Sequence, residues 1–220
     1  MDISFFRSRI PGPEIALEDA VTNNLSELAP KTNLPSWVAC SPRIGAGLPD
    51  ILFAYYEPQI LAISRVDYSQ TQLIAYLRAV NHASLDSIMN YFKFSKKTIT
   101  GYLSDLMEIC VVSQVDQDYY LEPLWKDIIP TIISIEVKVS DWRKAISQAS
   151  RNRLFCHKSY IALPRKLASR IKDNPVFEKQ GLGLLSIENG TIIEEIIAPS
   201  TQPQVWEYYY RLAAILANCG

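Results

Sequence analysis

Apolar residues recur along the chain with two different periods, and the switches between them set out the predicted elements. Ile15, Leu17, Val21, Leu25 and Leu28 fall at helical spacing, so residues 13–29 are expected to form an opening helix that Pro13 starts and Pro30 stops. A loop rich in Pro, Ser and Gly over 31–47 leads into 48–56, an apolar and aromatic run of strand length, and a second brief strand is expected over 59–66. From about Asp67 the spacing turns helical: 72–80, then 85–91 behind Ser84 as a cap, then 96–109 behind Ser95. Two short strands, 111–115 and 119–122, flank a polar turn at Asp116 to Asp118. After Pro130 come a strand over 131–139, a helix that Ser140 or Asp141 caps and that runs to about Phe155, a strand over 159–163 and a helix over 165–172. A hairpin of 183–187 and 191–197 turns at Asn189-Gly190, and residues 208–216 close the chain as a helix. This order describes an α/β core, residues 1–66 and 130–220, interrupted by a second domain over 67–129.

Composition narrows the class. With 220 residues, 48% apolar, 20% charged and only 8 Gly, the chain is neither disordered nor collagen-like. It has no apolar run long enough to span a bilayer and no signal-peptide pattern at Met1 to Arg9. The four cysteines are scattered, without a CxxC pair, so neither a zinc site nor a disulfide framework is expected. These features point to a reduced, cytoplasmic protein with no membrane partner. The formal charge of −1 argues at first against a nucleic-acid partner, but its distribution reverses that impression. Between Arg143 and Lys172 stand nine Lys and Arg and no acid, which leaves −10 for the remainder. Arg143, Lys144, Arg151 and Arg153 are the candidates there for contact with a phosphate backbone, against the plainer reading of solvated helix faces.

Three helices followed by a strand pair is the order of a winged helix-turn-helix, and Ser95-Lys96-Lys97-Thr98-Ile99-Thr100-Gly101-Tyr102-Leu103 resembles recognition helices of that family. The resemblance implies that Lys96, Lys97, Thr100 and Tyr102 are offered to a DNA groove while Ile99, Leu103 and Leu106 face inward. A helical protein-interaction module is the alternative.

Two charged features stand out against apolar strands. Glu136 and Lys138 lie two apart in the 131–139 run and so share a face, opposite Ile135, Val137 and Val139. Asp50 is the only acid entering the run that starts at Ile51. Burying such charges costs several kcal/mol (~3–5) unless they are paired or bind an ion, and a structural ion pair is the bland explanation. Taken together, Pro49-Asp50 and Glu136-Val137-Lys138 resemble the PD-(D/E)xK nuclease superfamily, with a winged-helix-sized insertion between the two motifs. Glu14 and Glu18, one turn apart on the opening helix, resemble the extra acid of the virus-type replication-repair branch, and the phrase around Glu14 favours that residue. Gln148, on the helix after Glu-x-Lys, stands where many members carry a glutamine or lysine.

The resemblance implies a restriction endonuclease-like core, a mixed central sheet flanked by helices, carrying an inserted winged helix. It implies that Asp50, Glu136, the Val137 carbonyl and Glu14 hold Mg²⁺, for which Mn²⁺ can substitute, and that no organic cofactor is needed. Lys138 would orient or help deprotonate the attacking water and stabilise the pentacovalent phosphate, with Gln148 near the site. The expected activity is Mg²⁺-dependent hydrolysis of duplex or branched DNA to a 5′-phosphate and a 3′-hydroxyl. One site cuts one strand, so duplex cleavage would call for a homodimer, and Val205, Tyr209, Leu212 and Leu216 of the last helix are a candidate interface or a core-packing face. The rival reading is a non-catalytic DNA-binding regulator on a nuclease-like scaffold.

Overall fold

The computed structural model describes residues 2–8, 11–29 and 31–219. It divides into two compact units, residues 1–56 with 129–204 and residues 57–128 with 205–220.

The first unit begins with strand β1 (Asp2–Phe5), helix α1 (Pro13–Asn23) and a helical turn α2 (Leu25–Leu28). The expected single helix over 13–29 is therefore broken at Asn24, whose Nδ2 donates to the Ala20 carbonyl at 2.7 Å and to the Gly190 carbonyl at 3.0 Å. Pro30, the expected stop, lies outside the described residues. Strand β2 (Ser36–Cys40) arises inside the stretch read as loop, and β3 (Ile51–Tyr55) falls within the expected strand.

The second unit opens with a 3-10 stretch, Pro58–Arg65, in place of the expected strand. Ile60 and Ile63 are its buried residues, and a spacing of three fits three residues per turn, not the alternation of a strand. Helix α3 (Tyr68–Val80) starts four residues earlier than expected, because Asp67 and Gln70 form a reciprocal capping box. There follow β4 (His82–Ser84), α4 (Leu85–Phe92) capped by Ser84, α5 (Lys96–Glu108) capped by Ser95, and the strands β5 (Val112–Val115) and β6 (Asp118–Leu121). The three strands form a small sheet in the order β4-β6-β5, and a second 3-10 turn spans Pro123–Asp127.

Returning to the first unit, the chain forms β7 (Thr131–Val137), α6 (Trp142–Asn152), β8 (Lys158–Pro164), α7 (Arg165–Ile171), α8 (Val176–Gln180), β9 (Gly183–Glu188) and β10 (Thr191–Ile196). The closing helix α9 (Trp206–Ala217) belongs to the second unit, which corrects its placement in the core over 130–220. Its buried face, with Tyr209, Leu212 and Leu216, packs on α3 and the first 3-10 stretch, and the Tyr210 hydroxyl donates to the Trp125 carbonyl at 2.8 Å. That face is therefore covered within its own unit. The unit boundaries accordingly fall near residues 57 and 128, with the tail added, instead of 67 and 129.

The main sheet has seven strands in the order β1-β2-β3-β7-β8-β9-β10. It is mixed: β3 runs antiparallel to β7, whereas β7, β8 and β9 are parallel neighbours. Period-two alternation divides the β8 side chains between two cores. Tyr160 and Ala162 join Ile133, Ile135, Val137 and Phe53 beneath Ala20, Val21 and Leu25 of α1 and α2. Ile161 and Leu163 join Ala145, Ile146 and Ala149 of α6 and Ala168 of α7. The unit is thus α/β with helices on both faces of a mixed sheet. At Gly183 the fit leaves no room for a side chain, since a Cβ there would stand 2.3 Å from the Tyr160 ring.

Candidate active site

Strand β7 is buried from Ile132 to Val137, and polar groups interrupt it at Ser134 and Glu136. Its neighbour β3 pairs with it only as far as Ile51 opposite Ile135. One residue earlier, Asp50 supplies by its side chain what the ladder no longer supplies: Oδ2 accepts from the Val137 N–H at 2.9 Å. Pro49, before it, has no N–H with which to extend the pairing. Lys138 follows the last residue of β7, and its ammonium donates to Asp50 Oδ2 at 2.9 Å and to the Val137 carbonyl at 2.7 Å. Asp50, Glu136 and Lys138 are all buried, so the three charges the sequence singled out meet at one end of two adjacent strands.

Helix α1 brings two more acids. Glu14 Oε1 lies 3.8 Å from Lys138 Nζ on a half-exposed side chain. Glu18 is buried, and Arg7, just after β1, spans both acids, with its guanidinium 3.9 Å from Glu18 and 3.6 Å from Asp50. A cavity of about 250 Å³ lies among Arg7, Glu14, Glu18 and Ser41, whose N–H donates to the Asp50 carbonyl at 3.1 Å.

Glu136 faces a different constraint. Asn152, at the last turn of α6, donates from Nδ2 to Glu136 Oε1 at 2.7 Å. Glu136 Oε2 is buried and accepts no hydrogen bond. Burial first, and the Asp50 charge second, push the Glu136 carboxyl up to about 8, with the Asn152 hydrogen bond and Lys138 pulling the other way. Two neighbouring carboxylates with one unsatisfied buried oxygen need either a shared proton or a cation. Burial alone would lower the Lys138 pKa, but Asp50, then Glu14 and Glu136, outweigh it and leave it raised. With these partners Lys138 is a charged donor at neutral pH.

The donor set is wholly oxygen: the Asp50 and Glu136 carboxylates and the Val137 carbonyl, with Glu14 beside them. That is the ligand chemistry of a hard divalent cation. Among the described residues, no group of three or more His, Cys, Asp or Glu is drawn close enough to form a metal cage by itself. In this conformation the Lys138 ammonium takes Asp50 Oδ2 and the Val137 carbonyl.

Gln148 is half-buried on α6, and its Oε1, like Ser134 Oγ on β7, is a further buried oxygen without a hydrogen-bond partner. The residue that reaches Glu136 is Asn152, one turn further on. Its signal was a polar residue in the register of the buried Ala145 and Ala149. It is packed from the other side as well, since a Cβ at Gly47 would stand 2.7 Å from Asn152 Oδ1. Arg7, also missed, stands in a stretch with no apolar period to mark it.

Most of the expected DNA-contacting residues fall on exposed surface, in both units. In the first, Arg143, Lys144 and Arg151 are exposed on α6, with the Arg143 guanidinium 4.7 Å from the Trp142 ring centre. Arg153 is half-buried and spends one arm on the Gln180 carbonyl at 2.6 Å, so it holds α8 in place. In the second, Lys96 and Lys97 are exposed in the first turn of α5, which carries no acid. A helix start disfavours positive charge, so the two lysines are not there for helix stability. Thr100 turns its hydroxyl back onto the Lys96 and Lys97 carbonyls, and Tyr102 is half-buried with its ring edge-on to Phe94. Cys40 and Cys156 are buried thiols, and Cys110 and Cys219 are exposed ones. Among the described residues, no helix is long and apolar enough to cross a membrane. The chain matches no family model, no curated protein and no solved structure.

Proposed function

We propose that the protein is a metal-dependent DNA endonuclease of the PD-(D/E)xK type. The observation that carries the reading is the meeting of Asp50, Glu136 and Lys138 at the end of β3 and β7, where two buried neighbouring carboxylates must share a proton or take a cation. A scaffold gains nothing from that arrangement, because a buried ionic cluster is often no more stable than an apolar one. The mixed sheet with helices on both faces supports the restriction endonuclease-like core. The order helix, short strand, two helices and strand pair in residues 68–121 supports a winged helix.

In this reading Asp50, Glu136 and the Val137 carbonyl hold the divalent cation, with Glu14 at its edge. When bound, the cation activates water and offsets phosphate charge. Lys138 donates from its ammonium to a non-bridging phosphate oxygen as charge builds there. Asn152 fixes the rotamer of Glu136, and Arg7 fixes that of Asp50. Water oxygen bonds to phosphorus and gives its proton to solvent, the bond from phosphorus to the 3′-oxygen breaks with its electron pair left on that oxygen, and the 3′-oxygen takes a proton from solvent. The products are a 5′-phosphate and a 3′-hydroxyl. Arg143, Lys144 and Arg151 bind backbone phosphates, and Lys96 and Lys97 contact the DNA from the winged helix.

The metal half of this reading is tested by titrating Mn²⁺ into the protein and following the free ion by electron paramagnetic resonance. Removing partners of metal ligands weakens sites by about 10–100-fold, so Asp50→Asn, which removes a ligand charge, is expected to weaken binding by at least ~10-fold. Equal binding by both proteins would remove Asp50 from the site.

A second reading, a non-catalytic DNA-binding protein, is favoured by one feature: the Lys138 ammonium already satisfies Asp50 and the Val137 carbonyl without a metal. In that reading Glu136 keeps a proton and shares it with Asp50.

A further inference from the structure

The second unit carries a string of aromatic rings in contact from α3 through α4 to α5. Tyr76 and Tyr91 have ring centres 4.4 Å apart, Tyr91 and Phe92 4.9 Å, Phe92 and Phe94 6.0 Å, and Phe94 and Tyr102 6.3 Å. The string runs outward, not inward: Tyr91 is 59% exposed and Phe94 37%. Lys93 ends α4 in the left-handed conformation, at φ 59°, and Ser95 caps α5, so Phe94 sits on the corner between the helices. Lys93, Lys96 and Lys97 interleave with the rings and are all exposed. No acid occurs between Asp86 and Asp105.

We infer that this corner binds an unpaired stretch of nucleic acid, with bases stacked on Tyr91 and Phe94 and phosphates held by Lys93, Lys96 and Lys97. Three exposed lysines without an acid among them match a polyanion, and they are the residue type depleted from protein interfaces. The exposed rings discriminate further. Bases in a duplex are already stacked on each other, whereas those of a single strand offer free faces, and stacking on aromatic side chains tolerates any sequence. The site is contained in one unit and does not depend on catalysis. Combined with the nuclease reading, on which this last step rests, it makes the substrate class DNA with a single-stranded segment, such as a flap or a junction.

The test uses the full chain in EDTA, so that nothing is cleaved, and measures fluorescence anisotropy of a labelled thymidine oligonucleotide, a uridine oligonucleotide of equal length and a mixed-sequence duplex. Stacking contributes about 5- to 150-fold in affinity per base. The double variant Tyr91→Ala/Phe94→Ala is therefore expected to bind the thymidine strand at least ~10-fold more weakly while its affinity for the duplex changes by less than about twofold. Both side chains are exposed, and an unchanged melting temperature verifies the fold. Lys96→Gln/Lys97→Gln provides a second variant, expected to flatten the salt dependence of single-strand binding. Equal loss on uridine and thymidine strands extends the site to RNA as well, and loss on thymidine alone restricts it to DNA. Failure of the wild type to bind either single strand at low salt, or unchanged single-strand binding by the aromatic variant, overturns the inference. Because cleavage plays no part in the assay, inactivity of the protein as a nuclease leaves this result standing, and the reverse also holds.

Discussion

Replacing Lys138 by Met should lower Mg²⁺-dependent DNA cleavage by about 10²–10³-fold, the scale of losing one preorganised donor to transition-state charge. DNA affinity should change little, because the phosphate contacts assigned to Arg143, Lys144 and Arg151 are untouched. Lys138 sits in a buried cluster, so its removal also has a structural cost. Breaking a buried ion pair by removing one partner costs about 3–5 kcal/mol, here moderated because Asp50 keeps the Val137 N–H and the Arg7 guanidinium, 3.6 Å away. Lys138→Gln separates the two effects: it retains a donor toward Asp50 but has no charge for the phosphate. The expected result is a folded, DNA-binding and inactive protein. Near-normal cleavage by either variant would remove Lys138 from the reaction.

The second large effect concerns stability. The Glu136 carboxyl is pushed up from its ordinary 4.5 to about 8 by burial and by Asp50. A group whose folded pKa is raised holds its proton more tightly in the native state, so between these two values the native protein carries more protons than the unfolded chain. Stability therefore falls as pH rises through that window, and below it Glu136 contributes nothing. At about 1.4 kcal/mol per pKa unit, the loss above pH 8 is on the order of a few kcal/mol. Glu136→Gln keeps an oxygen for Asn152 Nδ2 and abolishes the titration. In metal-free buffer at pH 9, the variant should melt higher than the wild type, by roughly 5–10 °C, and near pH 4.5 the two should nearly coincide. A variant that melts lower at pH 9, or is shifted equally at both pH values, would show that Glu136 is not the strained acid described here.

Much of this architecture was legible in the sequence because local signals and the final packing agree. Ser84 and Ser95 are caps in the sequence and in the structure, and Asn189-Gly190 supplies the two left-handed residues its hairpin turn needs. Asp50, Glu136 and Lys138 stood out because charge is costly in apolar strands. What escaped depends on contacts between distant residues. Strand β2 is short and surrounded by turn-forming residues, and it exists because β3 and β1 pair with it on either side. The 59–66 segment was misread because two isoleucines three apart fit either element until a partner surface decides. The closing helix has an apolar face that any core would accept, and only the structure assigns it to α3. Asn152 and Arg7 are separated from their partners by 11 residues or more, beyond the reach of periodicity.

The central claim is that the charged end of β3 and β7 hydrolyses phosphodiester bonds with a divalent cation. It is tested most directly by incubating the protein with linear, supercoiled and branched DNA in Mg²⁺ and in EDTA, with Glu136→Ala as the control. The account predicts cleavage in Mg²⁺ that leaves 5′-phosphate ends, and none in EDTA or with the variant. Intact DNA in every Mg²⁺ and Mn²⁺ reaction, with DNA binding retained, would contradict it and leave a DNA-binding protein without catalysis.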